Sequence, residues 1–169
     1  QFLSMDPALS LQPPVAANMQ QGVTQMLEQA LRNQYPAHPN FEDDLSLTKG
    51  TLTKVLEVVR NAARSSEPSV LVEQSLRKTM LRIAGPLKLG EMGENRFQLG
   101  DYWKQHFTRH QAQTDTPLSV GKLRKWQDLP QPMGLPMLVQ DLVAIAYAEQ
   151  TSRVFLLHGG PVEAEIGTL

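Results

Sequence analysis

A mainly helical fold with short β-hairpins, of the α+β class, is predicted by this 169-residue sequence. Three observations carry the prediction. Apolar residues recur at the i, i+3, i+4, i+7 spacing of one helical face in several segments. Short apolar runs flank glycine-containing turns near residues 90 and 160, as strands of a hairpin do. Proline clusters punctuate the segments between them.

Residues 1–14 carry Pro7, Pro13 and Pro14 without an apolar period and read as an extended lead-in. Met19, Val23, Met26, Leu27, Ala30 and Leu31 then share one helical face. That helix ends near Gln34, because Pro36 and Pro39 lack an N–H and push the residues before them out of the α region. After the acidic loop Glu42-Asp43-Asp44, Thr48 or Ser46 caps a second helix with Leu52, Val55, Leu56, Val59 and Ala63 on one face. A third helix is predicted from about Ser69 to Ala84, with Val72, Leu76, Met80 and Ile83 toward the core and Glu73 placed to pair with Arg77. Gly85-Pro86 stops it. Leu87-Lys88-Leu89-Gly90 and Arg96-Phe97-Gln98-Leu99 then read as a hairpin.

The second half repeats the order in shorter form. A helix over about 100–113 carries Tyr102, Trp103 and Phe107, and Thr114-Asp115-Thr116-Pro117 breaks the chain. Short and apolar helices follow over Val120 to Gln127 and Leu135 to Gln150, then a strand from Arg153 to His158, a turn at Gly159-Gly160-Pro161 and a strand from Val162. Helices followed by a hairpin are the element order of a winged helix. The reading is therefore two tandem winged-helix-like modules, residues 15–100 and 118–169, joined by a helix and linker over 101–117. The halves share element order and no evident sequence repeat. The opening at Gln1 without an initiator methionine, and the stop at Leu169 inside an apparent strand, read as a segment of a larger protein.

Composition narrows the chemistry. The absence of cysteine excludes a disulfide framework, a thiolate metal site and a cysteine nucleophile. The Leu135 to Ala148 run is too short to span a bilayer and no signal peptide is visible, so no membrane is involved and the expected location is cytoplasmic. Ser46-Leu47-Thr48-Lys49-Gly50-Thr51 has the residue types of a phosphate loop in the wrong order. His106 and His110 stand four apart on a helix, but Phe107 occupies the position where a zincin has glutamate and no third ligand is evident. They read as two solvent-facing histidines beside an aromatic patch, and His38 as a donor or acceptor to loop backbone. The sequence thus predicts no catalytic residue, no metal ligand and no bound cofactor, and so no enzyme in this segment itself; a metal enzyme built on His106 and His110 is the remote alternative. Met133, Leu135, Met137 and Leu138 with Trp126 could form a methionine-rich docking surface, with core packing the simpler reading.

Charge is more informative by segment. The formal net charge is −1, yet residues 1–48 carry −4, residues 49–125 carry +7 and residues 126–169 carry −4. The basic middle includes Arg77, Lys78 and Arg82 on the third helix, Lys88 and Arg96 on the proposed wing, and Lys122, Arg124 and Lys125 on the short helix. In a winged helix these elements approach duplex DNA, so these eight residues are the candidate nucleic-acid contacts; Glu91 and Glu94 on the wing oppose that role.

Tyr35-Pro36-Ala37-His38-Pro39-Asn40-Phe41 and Ile83-Ala84-Gly85-Pro86-Leu87-Lys88-Leu89-Gly90-Glu91-Met92-Gly93-Glu94 form two distinctive stretches. With Leu123-Arg124-Lys125-Trp126 and Gly134-Leu135-Pro136, the chain resembles, discontinuously over about residues 35–160, the large ATPases of bacterial phage-resistance systems. These are the phage growth limitation Y-type proteins of the bacteriophage-exclusion (BREX) class. The resemblance implies a parent with an N-terminal P-loop that binds ATP and magnesium and acts with other phage-defence proteins against phage DNA. No Walker motif is present here, so ATP binding is carried onto no residue of this chain. The expectation is a non-catalytic DNA- or protein-docking region of that ATPase; the alternative is a structural or oligomerising segment packed on the ATPase core.

Overall fold

A computed structural model describes residues 9, 11–42 and 44–169, so most of the expected lead-in over 1–14 and Asp43 of the acidic loop lie outside the described residues. The fold is α+β: six helices and two small antiparallel sheets among the described residues. The chain divides into two compact units, one of residues 1–38 with Asp128–Gly134 and one of Pro39–Gln127 with Leu135–Leu169.

The first unit is built on α1, Met19–Gln34, whose N-terminus is closed by the Asn18 side chain accepting from the Gln21 N–H. Pro14 and Ala16 lie over Gly22, the one buried position of the helix. The apolar face read as a core face is only partly one: Met26 and Ala30 are half-buried, while Met19, Val23, Leu27 and Leu31 are exposed. In the 128–134 segment Asp128 Oδ1 accepts from the Met133 and Gly134 N–H groups. Gly134 adopts φ +59°, and a Cβ there would sit 2.5 Å from the Tyr35 ring. His38 Nδ1 lies 2.7 Å from the Met133 carbonyl oxygen, the backbone bond expected of it.

The second unit opens with α2, Lys49–Arg64, capped by Thr48 accepting from the Thr51 N–H. The 3.6-residue period in its sequence becomes a buried stripe of Leu52, Val55, Leu56, Val59 and Ala62. Beyond α2 the structure corrects the expected long third helix. Ser69–Leu71 is strand β1, and helix α3 occupies only Gln74–Ile83. β2 (Gly90–Met92) and β3 (Arg96–Leu99) complete a sheet of order β1-β3-β2, with Phe97 on the central strand opposite both Val70 and Met92. β1 escaped the sequence because three residues are too few to show a period of two.

Helices α4 (Tyr102–Gln111), α5 (Val120–Gln127) and α6 (Met137–Gln150) follow. α6 is apolar on nearly every side, and Val139 and all residues from Asp141 to Ala148 are buried; each fully buried leucine or isoleucine there contributes about 2 kcal/mol by leaving water. It packs against α2, so elements of the first and second halves of the sequence share one core. The closing hairpin joins β4 (Phe155–Leu157) to β5 (Gly160–Val162). Its turn is His158-Gly159, both with φ near +50° to +84°, the signature of a two-residue primed turn. Glycine at 159 is thus the turn residue, and Gly160-Pro161 belongs to the strand instead of the turn expected at 159–161.

Candidate functional site

The eight candidate DNA contacts can be followed one by one. Arg77 turns its Nε–H back to the Val72 carbonyl at 3.0 Å and forms no ion pair with Glu73. Arg82 is held between Glu42, 2.6 Å from its Nε, and Asp44. Lys88 lies 4.3 Å over the Tyr102 ring centre, a cation–π arrangement. Arg96 donates to the Ser69 hydroxyl at 2.7 Å beside Glu67. Lys122 donates to the Thr116 and Pro117 carbonyls and the Thr116 hydroxyl. Arg124 bonds the Asp141 carboxylate and the Leu169 carbonyl, each at 2.7 Å. Lys78 and Lys125 alone of the eight are exposed with no side-chain hydrogen bond, ion pair or aromatic contact to a described residue.

The acidic flanks are the partners of the basic middle. Six of the seven ion pairs among the described residues join a base of residues 49–125 to an acid outside that range: Lys49 to Glu165, Arg60 and Arg64 to Glu149, Arg82 to Glu42 and Asp44, and Arg124 to Asp141. Asp141 is 1% exposed and also accepts from the Gly167 N–H at 2.9 Å, so this carboxylate ties α5, α6 and the segment after β5 together.

His106 and His110 sit in an aromatic stack. The Tyr102 and His106 rings are parallel at 5.8 Å, the two imidazoles meet at 4.6 Å, and His110 stacks on Trp126. Contrary to the solvent-facing expectation, His106 is buried. Its Nε2 lies 2.7 Å from the Trp126 carbonyl, which can only accept, so Nε2 carries the proton. Burial pushes the His106 pKa below its ordinary value, reinforced by His110, Arg109 and Lys88 and opposed by the Trp126 hydrogen bond. No group of three or more His, Asp or Glu among the described residues is placed to hold a metal ion.

A sign follows for stability. A histidine kept neutral in the fold binds fewer protons than in the unfolded chain, so its contribution is complete above the unfolded pKa of about 6.5 and is lost as pH falls through the lower folded value. Thermal unfolding between pH 8 and 5 is expected to show a falling midpoint, and His106→Gln is expected to shrink that fall. A midpoint that rises on acidification would contradict the neutral assignment.

Sequence reasoning missed the surface around the closing hairpin. Leu118, Leu123, Tyr147, Val154, Phe155 and Leu156 line a groove of about 390 Å³, with Arg153 at its rim. Val154, Leu156 and Leu157 are exposed apolar side chains. The sequence signal for it is the apolar run 154–157. Of the methionine-rich stretch, Met133, Leu135 and Trp126 are buried, Leu138 is half-buried and Met137 is exposed.

A family model described as the fifth domain of the BREX system ATPase PglY matches residues 50–148. The chain belongs to that family. It is therefore a domain of a phage-defence ATPase lying outside the ATPase core, and the BREX fifth-domain match spans α2 through most of α6. No solved structure matches the chain. No helix among the described residues is long and apolar enough to cross a membrane.

Proposed function

We propose that this BREX ATPase domain is a non-catalytic protein-docking module. The observation that carries the reading is the inward use of its cations: six of the eight residues expected to meet phosphate are engaged by carboxylates, carbonyls, a hydroxyl or an aromatic ring of the same chain. Exposed apolar side chains at α1 and at the closing hairpin supply area for protein contact instead. The DNA-docking alternative rests on exposed Lys78 and Lys125. Two phosphate contacts would give only a shallow salt dependence, a slope of about −2 in log affinity against log salt.

Two measurements test the reading. Duplex DNA is expected to bind no more tightly than non-specific contacts do, about 10 μM or weaker at physiological salt, with charge reversal at Lys78 changing little. In the parent ATPase, deletion of this domain is expected to leave ATP hydrolysis intact and to abolish association with companion defence proteins. Tight, steeply salt-dependent DNA binding, or undiminished association after deletion, would overturn the proposal.

A further inference from the structure

The closing hairpin has two unequal edges. In a two-residue hairpin the residues flanking the turn, here Leu157 and Gly160, exchange hydrogen bonds. The next pair, Leu156 and Pro161, is then the non-hydrogen-bonded one, and its backbone groups point away from the hairpin. On β5 that outward position is Pro161, which has no N–H to offer and so blunts the edge. On β4 it is Leu156, whose N–H and C=O are directed outward with no proline or lysine to protect them.

Leu156 also lines the groove, together with Leu118 and Leu123. Tyr147 lines the same groove; it is 1% exposed, and its hydroxyl has no hydrogen-bond partner among the described residues. Arg153 is exposed at the rim, its guanidinium carbon 5.7 Å from the Tyr147 ring centre, with no carboxylate partner among the described residues. That distinguishes Arg153 from Arg60, Arg64, Arg82 and Arg124, each of which has a carboxylate. An open strand edge, an apolar groove, an unsatisfied buried hydroxyl and an unpaired cation converge on one place.

We propose that β4 and the adjoining groove bind an extended segment of a partner protein by strand addition, with an apolar side chain in the groove and a neighbouring carboxylate on Arg153. Main-chain bonds to Leu156 supply affinity, and the alternation of side chains along the added strand supplies selectivity. The partner is acidic because Arg153 forms no ion pair with a carboxylate among the described residues. The inference rests on the protein-docking reading of the domain and names the chemistry of its ligand.

The probe is a short fluorescein-labelled peptide of alternating valine and threonine, with a central leucine followed by aspartate, titrated into the full chain by fluorescence anisotropy. Saturable binding is expected, weakened about tenfold when lysine replaces the aspartate and about tenfold by Arg153→Glu, with the lysine peptide recovering on the Arg153→Glu chain. Leu156→Pro, at an exposed position that needs no N–H within the hairpin, is expected to abolish binding while the unfolding midpoint holds. No binding of the probe, or binding indifferent to both substitutions, overturns the proposal. In the parent ATPase, association that survives Arg153→Glu and Leu156→Pro but is lost on domain deletion would defeat strand addition and leave the docking reading standing.

Discussion

Asp141→Ala is expected to cost this domain about 3 kcal/mol, the low end for removing one partner of a buried ion pair, because Asp141 is buried while Arg124 is 26% exposed. The carboxylate is 1% exposed and accepts from both Arg124 Nη2 and the Gly167 N–H. Its loss leaves the Gly167 N–H without its acceptor and Arg124 without its counter-charge, a cation that water reaches only through the 26% of its side chain that is exposed. Urea unfolding should show a much lower midpoint with an unchanged slope. Combining Asp141→Ala with Arg124→Met should recover part of the loss, because the stranded charge is then gone. A cost below about 1 kcal/mol would mean that Arg124 relaxes to solvent and that the pair holds little together. Arg124→Met bears on function: Arg124 is a candidate phosphate contact, and its removal is expected to register in unfolding rather than in DNA affinity.

Gly90→Ala is expected to cost about 3 kcal/mol or more, through backbone strain and overpacking combined. Gly90 has φ +159°, at the border of the region that side chains rarely adopt. A Cβ there would overlap the Gln98 carbonyl oxygen and lie 2.6 Å from the Phe97 ring. The colliding atoms are strand backbone and a fully buried ring, neither of which can swing aside. Since Phe97 sits on the central strand, the substitution should loosen the β1-β3-β2 sheet as a whole, visible as faster amide exchange at Val70 and Met92, its cross-strand neighbours. An unfolding midpoint matching that of the unsubstituted chain would show that β2 can shift its register without penalty.

Much of the fold was legible where several turns of helix repeat one pattern. α2 declared itself through Leu52, Val55, Leu56 and Val59, and its cap through Thr48. α6 announced a buried helix by being apolar on most sides. Short elements were harder: β1 is three residues long, and its identity depends on pairing with β3 more than twenty residues later in the chain, which no local pattern records. The closing turn was displaced because three consecutive residues, Gly159, Gly160 and Pro161, all favour turns, while His158 takes one of the two positive-φ positions.

The candidate site was less legible for a related reason. A basic residue looks alike in sequence whether it faces solvent or a partner in the fold. Arg82 meets Glu42 and Asp44, and Arg124 meets Asp141, across long stretches of chain. Arg153 is exposed beside a groove that Leu118, Tyr147 and Leu156 form from three separated segments.

The pairing of the basic middle with the acidic flanks also bears on how the chain finds its fold. Before any core exists, such a sequence is a block polyampholyte, whose central positive block attracts both negative ends across distances comparable to the Debye length. That attraction biases the collapsed ensemble toward bringing α2 near the segment after α6, the long-range closure that otherwise carries the largest entropy cost. Raised ionic strength is therefore expected to slow that closure and to lower the unfolding midpoint.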